Sequence, residues 1–345
     1  MKFLKTTFSA LLVMLIALSA NAQLLRTESD PKSQDDTQVI AFGSCNKPEI
    51  DGNMWSAIAE NDPELFIWLG DIIYGDTQDM RLLRSKYKEM STLPAYRKFA
   101  RTTPVTGVWD DHDYGVNDGG RHFPKKTESK EELLRFLKVK KNDPVRQHEG
   151  VYSSMTMGTS DRLIKIILLD GRTFRDTVIH SQTQGRRYEA NPSGDILGED
   201  QWAWLEKELT DSDAKVHIIG CGIQFIAEDH GWEKWANFPA ARQRLFDLIA
   251  RTSPENPVLI SGDRHIAEIS ALSLRDMADP LYDITASGIT HTWSKGSDET
   301  NRHRVGDLIV KRNFGIIRIA WKNNEPVIML EVRGLDNALF LQKEI

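Results

Sequence analysis

Short apolar runs alternate with amphipathic stretches through most of the chain. Strands are expected at residues 39–42, 65–69, 105–109, 163–169, 216–219 and 258–260. Helical spacing falls between many of them, around 54–60, 80–90, 130–140, 199–209 and 240–251. Such interleaving argues a parallel or mixed sheet covered by helices. After residue 266 the texture changes, and 269–274, 282–286, 314–321 and 327–332 read as strands with little helix between them. The expectation is a second sheet packed on the first within one domain. The fold class is thus α/β, an αββα four-layer sandwich of two mixed β-sheets flanked by helices. Polar stretches at 117–129 and 177–198 have the length of lids or binding loops, and so does 228–238, which carries His230, Trp232 and Trp235. They either wall a cleft or pack on the surface.

The first 22 residues change the picture of where the chain works. Lys2 and Lys5 precede an apolar stretch from Ala10 to Leu18, and Ala20-Asn-Ala22 follows as a small-residue cleavage signal. This predicts a signal peptide over 1–22 and export to a periplasm or beyond the cell. The apolar stretch is too short to span a bilayer, so no stable membrane anchor is expected. Residues 23–37 read as a flexible polar leader, and 38–345 as a single catalytic domain. Of 44 Lys and Arg, loss of Lys2 and Lys5 leaves 42 against 50 acidic residues, a balance of −8. With no Lys/Arg tract, a nucleic-acid-binding patch is not expected. A metal site sets its own local charge, so the acidic excess does not exclude a phosphate substrate.

Five apolar runs end in metal-binding or charged side chains: Phe42-Gly-Ser-Cys45, Leu69-Gly-Asp-Ile-Ile-Tyr74, Trp109-Asp-Asp-His-Asp113, Leu168-Leu-Asp-Gly-Arg172 and Ile260-Ser-Gly-Asp-Arg-His265. In open α/β sheets ligands bind outside the carboxyl ends of the strands, so the set predicts one convergent site. Asp71 alone reads equally as a helix cap, but with Tyr74 three residues on it can bind a ferric ion. Asp110 to Asp113 packs three carboxylates around His112, a density that needs a cation or hydrogen bonds to compensate it. His112 suits a general acid for a leaving alkoxide, with Asp113 orienting it. Asp263 and His265 can face one site from a turn. Arg172 and Arg175 either grip phosphate or brace loops. Gln224 is a ligand candidate or a core amide, His217 reads as structural, and His291 borders the cleft. Only two cysteines exist, Cys45 and Cys221. They form a disulfide, or Cys45 is a thiolate ligand.

Together these segments resemble the alkaline phosphatase D family of the calcineurin-like metallophosphatase superfamily. The resemblance rests on Gly43-Ser-Cys45, Gly70-Asp-Ile-Ile-Tyr74, Trp109-Asp-Asp-His-Asp113, Leu169-Asp-Gly-Arg172 and Gly262-Asp-Arg-His265. The second of these is also similar to the iron-binding segment of purple acid phosphatases. The resemblance implies an exported phosphomonoesterase or phosphodiesterase using Fe³⁺ with Ca²⁺, the second ion being replaceable by Mg²⁺ or Mn²⁺. By position, Cys45, Asp71, Tyr74 and His265 hold the iron. Asp71 then bridges to a second metal ligated by Asp111 and Asp263, with Gln224 nearby. Soft and phenolate donors suit a transition metal, and an all-oxygen set suits the harder cation. Asp111 stands where many superfamily members carry Asn, and Cys45 where most carry Asp. Well-known members have an extra domain before the first motif, for which about twenty mature residues leave no room, so their substrate preference is not carried over.

The expected reaction is attack on a phosphoester by water activated at a dinuclear site, with His112 as acid. Arg172, Arg264 and His291 are the expected substrate-binding residues, and the substrate is a small-molecule or polymer-derived phosphoester. Two rivals carry less of the pattern. A secreted calcium-binding or adhesion module leaves Cys45, Tyr74 and His112 without a task. A serine hydrolase on Ser44 or Ser261 lacks the Gly-x-Ser-x-Gly elbow.

Overall fold

The computed structural model describes residues 37–50, 54–293 and 299–345. The expected signal peptide and nearly all of the leader lie outside the described residues. Thr37, the last position assigned to the leader, already opens the first strand opposite Ala320. Among the described residues no helix is long and apolar enough to cross a membrane.

The chain begins with a βαβαβ run. β1 (Thr37–Gly43), α1 (Met54–Ala59) and β2 (Leu65–Leu69) are followed by α2 (Met80–Thr92), α3 (Pro94–Thr102) and β3 (Val105–Val108). The three strands are parallel. Pro94 at the first turn starts α3, where a missing N–H costs nothing. Its Tyr96 and Phe99 pack on Trp55 of α1, with ring centroids 4.9 and 5.3 Å away. That aromatic contact is what the sequence pattern alone did not reveal as a helix.

After α4 (Asp111–Tyr114) and α5 (Lys126–Phe136) come β4 (Ser153–Met157), β5 (Ile164–Leu168), and a small hairpin of β6 (Ile179–His180) and β7 (Tyr188–Glu189). Then α6 (Gly198–Thr210), β8 (Val216–Cys221), α7 (Pro239–Thr252) and β9 (Pro257–Ser261) complete a second parallel trio of β5, β8 and β9. β10 (Ala267–Leu272), β11 (Leu281–Ala286) and β12 (Arg304–Ile309) extend that sheet. β13 (Asn313–Lys322), β14 (Glu325–Gly334) and β15 (Leu339–Glu344) return to the first.

The two sheets run β15-β14-β13-β1-β2-β3 and β12-β10-β11-β9-β8-β5-β4. This corrects the expected division at residue 266, because each sheet takes strands from both sides of it. The later strand β13 covers the β1 edge of the first trio antiparallel, whereas β11 adds to the β9 edge of the second in parallel, and apolar periodicity carries no information about which edge a strand will choose. Side chains alternate as strand geometry requires. Ile166, Leu168, Ile218, Val258 and Ile260 enter the core shared with the first sheet. Ile167, Leu169, Ile219 and Leu259 face Trp202, Leu205, Leu245 and Ile249 of α6 and α7. The expected αββα class holds. α5 begins earlier than expected, inside the stretch read as a polar loop.

Candidate metal centre

The carboxyl ends of β1, β2, β3, β5, β8 and β9 converge, and every strand-end segment picked out from sequence meets there. Cys45, Asp71, Asp263 and His265 all hold left-handed backbone, at φ 58, 48, 65 and 54°. Such conformations cost non-glycine residues roughly 1–3 kcal/mol each and concentrate where surroundings enforce them for function. Gly70 makes the approach possible. It has φ 79°, and a Cβ there would sit 2.2 Å from the Cβ of Asp110.

One side of the site gathers Cys45, Asp71, Tyr74 and His265. The Cys45 thiol lies 3.4 Å from Asp71 Oδ2 and 3.1 Å from the Ser287 hydroxyl. The Tyr74 hydroxyl lies 3.4 Å from Asp71 Oδ2, 3.3 Å from His265 Nε2 and 3.2 Å from His291 Nε2. Cys45, Asp71 and His265 can present ligand atoms within 4.8 Å of one another. The same holds for Asp71, Asp111 and His112, and for Asp110, Asp111 and Asp263. Asp71 and Asp111 therefore join the sulfur- and nitrogen-bearing side to an all-carboxylate side. Both cysteines are free and buried, so the disulfide alternative is not formed.

The electrostatics demand compensation. Burial and the neighbouring Cys45 and Asp111 hold the Asp71 carboxyl well above its ordinary range. Burial and Asp111 push Asp263 up to about 8. Burial pushes the Cys45 thiol up to about 12 and the Tyr74 phenol far above its ordinary value. Asp111 is also penalised by burial, but Arg172 and His112 hold it below the usual carboxylate range. His265 is pushed down to about 3 by burial and by its neighbour His291, which leaves its imidazole neutral and able to donate a lone pair. Asp71 Oδ1, Asp110 Oδ2, Asp111 Oδ1, Gln224 Oε1 and His265 Nδ1 are buried without a hydrogen-bond partner among the described residues. Unpaired buried acceptors of this kind are costly, and a cation satisfies them. The donor set thus fits metal ions.

His112 stands at the edge of this cluster with its Nδ1 2.8 Å from both oxygens of Asp76. Burial opposes its charge, but Asp71, Asp76 and Asp111 outweigh that and push the imidazolium up to about 10. Asp113, expected to orient His112, does something else. It accepts from the backbone N–H groups of Asp110 at 2.7 Å and of Asp71 and Ile72 at 3.3 Å, and so latches the β2 loop to the β3 loop. Asp76 takes the orienting position. It went unnoticed because one Asp in a Gly-Asp-Thr turn has the composition of an ordinary loop.

Arg172 has no exposed surface. Its guanidinium contacts Asp110 at 2.6 Å and Glu233 at 2.7 Å, and Arg175 contacts Glu233 at 2.9 Å. Of the two roles left open for this arginine, bracing loops is the one these contacts match. Glu233, from the stretch read as a cleft wall, is the missed partner. Asp170 is consumed likewise, accepting from Trp109 Nε1 and from the N–H groups of Val151, Arg172 and Thr173, each at 2.9 Å. Arg264 is buried and engages both oxygens of Glu299 at 2.7 Å through one terminal nitrogen. The Gln224 amide nitrogen donates to Glu268 and Thr285, leaving only its oxygen uncommitted. His291 lies further in than the expected cleft border, its ring 4.5 Å from that of His265. His217 is structural as expected, bonded to the Glu255 carbonyl and the Ser212 hydroxyl.

The chain matches the PhoD-like phosphatase family over residues 40–316. Alkaline phosphatase D of Bacillus subtilis (strain 168) is 23% identical over 334 residues, covering 84% of this chain and 56% of the relative. The chain thus spans a little over half the length of that curated relative. A solved structure of PhoD has a TM-score of 0.65 at 18% identity, covering 90% of this chain and 72% of that one. A purple acid phosphatase from yellow lupin seeds gives 0.61 at 13% identity, covering 91% and 54%. A dimetal phosphatase from Danio rerio gives 0.56 at 14% identity, covering 89% and 98%. At these identities the three structures speak to the fold.

Proposed function

Since the chain belongs to the PhoD-like phosphatase family, we propose that it is an exported, metal-dependent phosphoester hydrolase acting on mono- or diesters. The observation that carries this reading is the continuous set of unpartnered, buried donor atoms running from His265 through Asp71 to Asp111 and Asp110. Cys45, Asp71, Tyr74 and His265 would hold a ferric ion. Asp71, Asp111 and Asp263, with the Gln224 oxygen, would hold Ca²⁺, Mg²⁺ or Mn²⁺. Bound there, such a pair offsets phosphoryl charge and lowers the pKa of water towards neutrality.

The chain's own residues supply the rest. His112, protonated and fixed by Asp76, stands ready to give its proton to the leaving oxygen. Asp113 keeps the β2 and β3 loops in register, so that Asp71 and Asp111 stay at one spacing. Arg172 counters Asp110 from behind, which limits the negative charge that the site must hold without cations. Of the residues expected to bind substrate, His291 beside His265 is the better placed, since Glu299 already meets the charge of buried Arg264.

The test is elemental analysis of the purified protein, alongside turnover of mono- and bis-p-nitrophenyl phosphate before and after chelation. Iron with a second cation, and activity lost on stripping and restored on reloading, is the expected result. A protein that takes up no metal and cleaves neither ester would overturn the reading. The ratio of the two rates separates monoesterase from diesterase action.

A further inference from the structure

We propose that Trp232 and Trp293 form a stacking ledge beside the metal centre for the flat ring of a phosphoester substrate, making nucleoside phosphates its substrate class. This rests on the phosphoester reading above and deepens it.

Nine tryptophans occur in the chain. Six are buried and Trp204 is half-buried. Only Trp232 and Trp293 are exposed, at 41% and 50%. They arrive on different loops, one after β8 and the other after β11, yet their rings lie 6.0 Å apart and only 18° from parallel. Two isolated surface tryptophans need no explanation, but two indoles brought together from distant segments form a built surface.

The position of the pair points to a substrate. The Trp293 ring is 5.5 Å from the His265 ring, and the Trp293 backbone N–H donates to the His265 carbonyl at 3.0 Å. The Arg264 guanidinium lies 5.8 Å from the Trp232 ring centre. The ledge therefore begins one ring away from a candidate metal ligand, within reach of whatever a bound phosphoryl group is esterified to. It is also fixed in place. The Gly231 carbonyl accepts from the Arg187 and Tyr188 N–H groups at 2.8 and 3.1 Å, and buried Lys234 donates to the carbonyls of His230 and Trp232 at 2.7 and 3.0 Å. A preorganised aromatic surface loses little freedom on binding.

Indole faces stack on flat heterocycles of any base identity, so the ledge reads the presence of a ring and leaves its identity open. The chain is acidic, with no Lys/Arg tract to hold a polyanion, which favours a mononucleotide over nucleic acid.

The test compares adenosine 5′-monophosphate with ribose 5-phosphate, which share a leaving alkoxide and differ in the base. In the metal-loaded protein kcat/KM should favour the nucleotide about tenfold, as expected for one stacked base. Trp232→Ala and Trp293→Ala should each bring that ratio towards one, and Trp→Phe at either position should keep most of it. Adenosine alone should quench tryptophan fluorescence, and the alanine variants should lose that quenching. If ribose 5-phosphate is hydrolysed as well as the nucleotide and adenosine quenches nothing, the ledge is overturned and the hydrolase reading stands. If neither monoester is hydrolysed, the hydrolase reading fails only when bis-p-nitrophenyl phosphate is left intact as well, and adenosine quenching that both alanine variants retain would remove the ledge.

Discussion

The imidazole Nδ1 of His112 lies 2.8 Å from both carboxylate oxygens of Asp76, a residue 36 positions earlier and two after Tyr74. The two loops are also tied by backbone, since the N–H groups of Gly75 and Asp76 donate to the His112 carbonyl at 3.0 and 3.2 Å. A carboxylate so placed fixes ring orientation and favours the protonated form. His112→Ala should lower kcat about 10²-fold or more for an ester with a poor leaving group. Asp76→Asn should lower it less, by about tenfold. Both variants should keep their metals by elemental analysis. Wild-type turnover of an alkyl phosphate by His112→Ala would remove the acid role.

Stripping the metals should lower Tm as well as activity, because burial and like charge hold Asp71 and Asp263 above their ordinary range when no cation compensates them. Differential scanning calorimetry before and after chelation reads this directly. Ferric iron bound by Cys45 and Tyr74 should absorb in the visible, and Tyr74→Phe should shift or abolish the band. A protein loaded with iron yet colourless would dismiss both ligands.

Arg172→Ala should destabilise the fold by about 3–5 kcal/mol, the usual result of stripping one partner from a buried ion pair. Glu233→Gln should act in the same direction, since it leaves both Arg172 and Arg175 short of charge. Urea unfolding at fixed metal concentration measures the loss. A change below about 1 kcal/mol together with a large rise in KM would instead mean that Arg172 serves the substrate.

His217 offers a pH dependence far from the metals. Burial holds its pKa below the ordinary value, although the bond to the Glu255 carbonyl works the other way. Its folded pKa is depressed, so its neutral form supports the fold above the unfolded pKa of about 6.5. That support is lost as pH falls through the folded value, because only the unfolded chain gains the proton early. The stability of His217→Gln should therefore fall less steeply below about pH 6.5 than that of the wild type. Parallel curves in urea midpoints from pH 7 to 5 would refute this.

Where chemistry showed as residue type at a strand end, the sequence was readable. Asp71, Asp111, Asp263 and His265 each follow an apolar run, and the turn that exposes them needs Gly70 or Gly262. Roles that depend on what lies opposite were not readable. Asp113 shares its segment with Asp110 and Asp111 but spends its oxygens on backbone N–H groups. Asp76 and Glu233 sit in loops where acids are ordinary, and only their partners, His112 and Arg172, give them meaning. Sheet membership was hidden for the same reason, since a strand's periodicity describes its faces and leaves its neighbours unspecified.

The pairing of β1 with β13 has a consequence in time. β1 delivers Cys45, but its flank opposite β2 is covered by a strand that begins only at Asn313. A ribosome therefore makes Cys45 among the first of the clustered donor residues, yet some 270 more must emerge before the strand beside it is enclosed. Contacts so distant along the chain form late and slowly. Until then Cys45 belongs to an unfinished sheet, open to wrong partners and unable to hold an ion in its final geometry. If Cys45 holds an ion as proposed, its capture would be an end-of-synthesis event, and a chain halted anywhere before β13 should emerge without it.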